Sequence, residues 1–256
     1  MTDPDTTRRH IADDLRATGV RPGGVLLVHS ALRALGPVPG GAETVVRGLL
    51  DALGPDGTLL MPALSYGQVT PQQPIFDMRA TPSNVGALPE YFRTRPGTLR
   101  SLHPTHSVCG VGKLAAEILG RHGEDRTPCG PCSPFHLLPE YAGHILMLGC
   151  GLRQNTSMHA VEELSEPPYL FGGLVTYRLI GWDGAATEAT YRLHGFKSRV
   201  QRYDRVGDVL AEPELRRGQV LQARVHLIQA AALRQAASAA LRRDPFFFVD
   251  WINSID

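Results

Sequence analysis

His159 and Glu162 stand three residues apart in Asn155-Thr156-Ser157-Met158-His159-Ala160-Val161-Glu162, just after the apolar run from His144 to Gly151. Residues three apart on a helix share a face. A carboxylate placed there can hold one ring nitrogen of the imidazole, fix its tautomer and stabilise the imidazolium. The other nitrogen is then free to take a proton from a substrate. Glu163 follows directly, four residues from His159, so spacing alone does not choose between the two carboxylates. The same spacing also serves an ordinary surface pair, worth about 0.2–0.5 kcal/mol.

Other chemistries find less support. There is no Gly-x-Ser-x-Gly elbow, no Walker loop, no Gly-x-Gly-x-x-Gly and no His-Glu-x-x-His. Cys129-Gly130-Pro131-Cys132 has redox spacing, but Pro128 precedes it and Ser133-Pro134 follows, which makes it a turn rather than a strand-to-helix junction. Cys129, Cys132 and His136 supply three metal donors without an evident fourth, so no metal is expected. Two polar clusters remain. Val28-His29-Ser30-Ala31-Leu32-Arg33 leaves the end of an apolar run, where its hydroxyl, backbone and arginine can grip a phosphate or a pantetheine arm. His103-Pro104-Thr105-His106-Ser107-Val108 precedes a second apolar run.

The elements that must position these groups follow from patterning. The chain has 256 residues and is 43% hydrophobic, enough for one domain over residues 1–256 with a large core. A net charge of +1, with the basic residues scattered, gives no footprint for nucleic acid. The polar start Met1-Thr2-Asp3-Pro4-Asp5 is not a signal peptide and no apolar run reaches membrane-spanning length, so a soluble cytoplasmic protein is expected. Oligomeric state is not legible. Helices are predicted over Thr6 to Thr18, Ala42 to Leu53, Gly86 to Arg93 and Leu114 to Leu119, and buried strands at Val25 to Val28, Thr58 to Met61 and Ile145 to Leu148. Strand, helix and strand over residues 25 to 61 read as a βαβ unit with parallel strands. Gly67 to Ser83 reads as a loop. Leu174 to Ile180 and Glu188 to Leu193 form a hairpin across Trp182-Asp183-Gly184; a helix from His226 to Arg243 and a strand from Phe246 to Val249 close the chain. The expected class is α/β: a central, largely parallel sheet flanked by helices, with an antiparallel C-terminal addition.

Between residues 25 and 165 the chain resembles the aminoglycoside 3-N-acetyltransferase family. The resemblance runs in order through Val28 to Arg33, Gly40-Gly41-Ala42-Glu43-Thr44-Val45, Gly57 to Pro62, Thr81-Pro82-Ser83, Leu88-Pro89-Glu90, His103-Pro104, Ser107, Ser133-Pro134, Leu148-Gly149 and Asn155-Thr156-Ser157 with His159 and Glu162. It implies acetyl-CoA as cosubstrate and a small-molecule amine as acceptor, most directly the 3-amino group of an aminoglycoside. It implies His159 as general base and Glu162 as its orienting carboxylate. Ser30, Ala31, Leu32, Arg33, Ser107 and Val108 fall in cofactor-contacting segments, and Asp77 and Glu163 are the expected acceptor contacts. The chain departs from the family in the stretch Gly67 to Ser83, which is short and has Asp77 as its single acid. A polycation needs an acidic cradle. A biosynthetic acyltransferase for another amine and a non-catalytic CoA-binding protein are the alternatives.

Overall fold

The computed structural model describes residues 3–252. Helix α1 (Pro4–Thr18) begins where the Asp3 side chain accepts the amide hydrogens of Asp5 and Thr6, and ends on Gly19 in the left-handed region. Strand β1 (Val25–Ser30), helix α2 (Gly41–Leu53) and strand β2 (Thr58–Pro62) make the expected βαβ unit. Then come β3 (Ile75–Asp77), α3 (Ala87–Thr94), β4 (Leu99–Arg100), β5 (Val108–Gly112), α4 (Ala115–Gly120) and α5 (Pro134–Leu137). These lead to β6 (His144–Leu148) and α6 (Met158–Ser165). The last third runs β7 (Phe171–Ile180), β8 (Ala186–His194), β9 (Arg199–Gln201), α7 (Val206–Val209), β10 (Leu215–Val220), β11 (Ala223–Gln229), α8 (Ala230–Arg243) and β12 (Val249–Trp251).

Seven strands form the main sheet in the order β10-β11-β6-β1-β2-β5-β4. Its centre is parallel: β1 pairs with β2 and with β6 in the same direction. Antiparallel strands extend it on both flanks, β5 and β4 beyond β2, and β11 and β10 beyond β6. The β7–β8 hairpin stands apart and joins β3 in a three-stranded sheet.

Side chains of the central strands alternate between two cores. Leu26, Val28, Leu59 and Met61 pack with α1 and α2, whereas Val25, Leu27 and Leu60 pack with α4, α6 and α8. Both faces are covered, which is why these strands read as unbroken apolar runs. The C-terminal ends of β1 and β6 lie side by side, with the chain leaving β1 toward β2 on the other side. This is a topological switch point, where open sheets of this kind bind ligands.

Three expectations need correction. Residues 226–229 belong to β11 and the helix starts only at Ala230. No Gly or Pro marks the junction, but Val225 and Leu227 face one core while Ile228 faces the other, a period of two rather than 3.6. The last strand is Val249–Trp251, later than Phe246 to Val249, because Phe246 and Phe247 turn the chain off α8. The stretch from Gly67 to Ser83 is not all loop: β3 lies within it and pairs in parallel with the end of β7.

Candidate active site

α6 starts just after β6 and brings His159 to the rim of a cavity of about 690 Å³. Its Nδ1 lies 3.2 Å from Glu162 Oε2 and 2.8 Å from the Tyr203 hydroxyl. Tyr203 donates to the same Glu162 oxygen at 2.7 Å, and Tyr169 donates to Oε1 at 2.8 Å. Glu162 is fully buried, and the two phenols replace the water that its carboxylate loses. Burial and the neighbouring Glu162 push the Tyr203 hydroxyl well above the usual phenol range, so it stays a donor. With its one proton on Glu162, the Tyr203 oxygen accepts from His159 Nδ1–H. The tautomer is thereby fixed, and Nε2 carries the lone pair on the cavity side.

Glu163 makes a different set of contacts. It accepts from Thr127 Oγ1 at 2.5 Å, from the Cys129 backbone N–H at 2.7 Å, and pairs with His194 Nε2 at 2.7 Å. Geometry therefore gives His159 to Glu162, the choice that spacing left open. Glu163 does not line the cavity, which corrects its expected role as an acceptor contact: its oxygens are spent on the Cys129 turn and on His194.

The remaining expected residues divide. Ser30 lines the cavity with a buried hydroxyl that has no partner among the described residues. Ala31 ties the end of β1 to β6 by donating to Leu148 O, and Leu32 and Arg33 turn away in a 3-10 helix. None of the three lines the cavity. Nor do Ser107 and Val108. Ser107 Oγ donates to Ala63 O at 2.8 Å and accepts from Arg100 at 2.9 Å, and Val108 is core. Ser107 is thus no candidate for stabilising an oxyanion. Asp77 also misses the cavity, since its carboxylate closes a turn on the amides of Arg79 and Ala80.

Several wall residues were given no role in the sequence reading, although His106 lay in one of its two polar clusters. His106, His194, Phe196 and Tyr203 converge on His159 from distant segments, with His194 at 4.9 Å and Phe196 at 5.5 Å between ring centroids. The signal for His106 and Tyr203 was their place in polar stretches; His194 gave none. Asn155 holds the Ser157 amide through Oδ1 while its buried Nδ2 stays unpartnered among the described residues. Buried donors without partners cost about 1–3 kcal/mol each, which marks Ser30 Oγ and Asn155 Nδ2, on two residues of the cavity wall, as unspent donors. Gly149 lets β6 come close at this edge: φ is +72, and a Cβ there would sit 2.6 Å from that of Ala34. The turn from β8 to β9 is left-handed at Phe196, Lys197 and Ser198, with φ of 51, 41 and 59.

Burial holds most of the surrounding imidazoles neutral. It lowers His29 to about 3, with His159 nearby adding to the effect, and His106 and His194 also fall below the usual range. Thiols are pushed the other way by burial, Cys150 in the cavity wall to about 11 and Cys129 well above its ordinary value. Neither has the thiolate character of a nucleophile or redox centre. No helix among the described residues is long and apolar enough to cross a membrane.

The model of the family described as aminoglycoside 3-N-acetyltransferase matches residues 27–242. Aminoglycoside N(3)-acetyltransferase VIII of Streptomyces fradiae is 30% identical, over 97% of this chain and 92% of its own. The match to aminoglycoside N(3)-acetyltransferase IX of Micromonospora chalcea, at 33% identity, takes in 62% of this chain and 63% of that relative's length. Among solved structures, a His-to-Ala mutant of aminoglycoside acetyltransferase AAC(3)-IVa in complex with a gentamicin superimposes with a TM-score of 0.80 at 30% identity, covering 94% of this chain and 90% of the other. AAC-IIIb as a binary complex with CoASH gives 0.80 at 29%, covering 92% and 96%. The chain belongs to the aminoglycoside 3-N-acetyltransferase family.

Proposed function

We propose that this protein transfers the acetyl group of acetyl-CoA to a primary amine, the 3-amino group of an aminoglycoside being the acceptor its relatives point to. The observation that carries the reading is His159: one nitrogen fixed by Tyr203 and Glu162, the other open to the cavity. His159 Nε2 takes a proton as the amine attacks the thioester carbonyl, and Glu162 stabilises the imidazolium through Nδ1. Ser30 Oγ and Asn155 Nδ2 are the donors available to the developing oxyanion or to the amide-rich pantetheine arm. Arg153, the one formal charge in the wall among the described residues, suits a phosphate of the cosubstrate. A neutral Cys150 supports direct transfer in a ternary complex rather than through an acyl-enzyme.

One observation favours a second acceptor. No Asp or Glu lines the cavity among the described residues. A polycation gains little there, so an amine of lower charge is the alternative, with a biosynthetic rather than a resistance role. Release of CoA thiol from acetyl-CoA, measured with gentamicin-, neomycin- and kanamycin-type acceptors and with small monoamines, tests both. Amine-dependent release with intersecting double-reciprocal lines is expected. Binding of CoA without release for any amine leaves a CoA-binding protein, and parallel lines restore a cysteine nucleophile.

A further inference from the structure

We propose that His106, His159 and His194 form a binding site for a borderline-soft divalent cation of the Zn²⁺ type, which occupies the base and switches it off. One ring nitrogen from each of the three lies within 4.8 Å of the other two. A tetrahedral Zn²⁺ with bonds of about 2.0–2.1 Å needs nitrogens roughly 3.3 Å apart, so the three rings must draw together on binding.

Cation binding selects the tautomer in which His106 donates its Nδ1–H to the Thr105 hydroxyl and keeps Nε2 free. In each ring one nitrogen is engaged by an oxygen: His159 Nδ1 by Tyr203 and Glu162, His194 Nε2 by Glu163, and His106 Nδ1 by the Thr105 hydroxyl at 2.9 Å. The nitrogens left over are His159 Nε2, His106 Nε2 and His194 Nδ1. The last is buried without a partner among the described residues, on a side chain only 5% exposed. Two of the three histidines thus carry a carboxylate behind them, the pattern that orients imidazoles and raises their basicity toward zinc. All three line the same cavity, which leaves a fourth position for water. Three neutral imidazoles donate lone pairs to the cation, and no redox change is involved. Bound there, the cation holds the lone pair that His159 would use on the amine.

Calorimetry of the full chain with Zn²⁺ in a non-chelating buffer, with Co²⁺ as the spectroscopic probe, tests this. One cation per chain and the intense visible absorption of tetrahedral Co²⁺ are expected. His106→Gln and His194→Gln, which each remove one of three ligands, should each lower the affinity sharply or abolish binding. Cys132→Ser should leave it unchanged. If His194→Gln does not fold by circular dichroism, Zn²⁺ protection of wild-type His106, His159 and His194 from diethylpyrocarbonate supplies the second readout. Absence of a Zn²⁺ heat, or binding that survives the histidine substitutions and disappears in Cys132→Ser, overturns the proposal. Inhibition of acetyl transfer by Zn²⁺, reversed by a chelator, is the functional arm. The binding arms do not need the transferase reading to hold, so failure of one is distinguishable from failure of the other.

Discussion

Consecutive glutamates on α6 hold two different histidines, and the two pairs are not equivalent. Glu162 is backed by two phenols and faces a histidine whose side chain is 13% exposed, open to the cavity. Glu163 is backed by a backbone amide and a threonine and faces a histidine only 5% exposed. The first pair can move a proton between cavity and interior. The second anchors the Cys129 turn to the end of β8. One residue of chain, about 100° of helix rotation, separates the dyad proposed as catalytic from one that is tied into the fold.

The largest expected contrast is between the histidines. His159→Ala should lower kcat/KM by roughly two to four powers of ten while acetyl-CoA binding survives, the range for a positioned acid–base group. His194→Ala should cost far less in kcat. Equal losses in steady-state kinetics would erase the distinction.

Next come the carboxylates and the phenol. Glu162→Gln and Tyr203→Phe should each reduce kcat, by roughly ten- to a thousandfold, without a matching change in KM. Glu163→Gln should act mainly on stability, by about 1–3 kcal/mol in urea unfolding, because it leaves the Cys129 amide and Thr127 less well satisfied. A kcat loss for Glu163→Gln larger than for Glu162→Gln would reverse the roles.

The least local effect is on pH. His29 and His122 are held to about 3 by burial, against an ordinary value of 6.5. Depressed bases bind protons in the unfolded chain first, so stability is fully present above about pH 6.5 and is lost as pH falls toward 3. These two alone predict a slope of roughly 2.7 kcal/mol per pH unit near pH 5, and His103, His106 and His194 fall in the same direction. Thermal melts from pH 8 to 5 should show Tm falling steadily below 6.5; a flat profile would mean that these rings charge freely in the fold.

What could be read from the sequence tracks how local each signal is. His159 with Glu162 rests on a spacing of three, and the parallel centre of the sheet on unbroken apolar runs flanking one helix; both are present. Tyr203 lies 41 residues from Glu162 and meets it only through the packing of the segment between β9 and α7 against α6. Ser107 stood in a polar cluster that promised chemistry, yet the start of β5 turns its hydroxyl to Ala63 and Arg100. Asp77 had the right charge at the right point in the chain, but β3 gives it a turn to close. A residue type can be read directly; the direction of a side chain at a strand end depends on its neighbour strands.

The left-handed turn at Phe196, Lys197 and Ser198 has a consequence for how the protein can change. Each such residue costs roughly 1–2 kcal/mol relative to ordinary backbone. Glycine at 197 or 198 would relieve that cost and widen the conformations open to the turn. Phe196, whose ring centroid that turn holds 5.5 Å from that of His159, would then lose its fixed position. At these positions, variants that unfold less readily should also define the cavity wall less sharply, so durability and acceptor discrimination are selected in opposite directions.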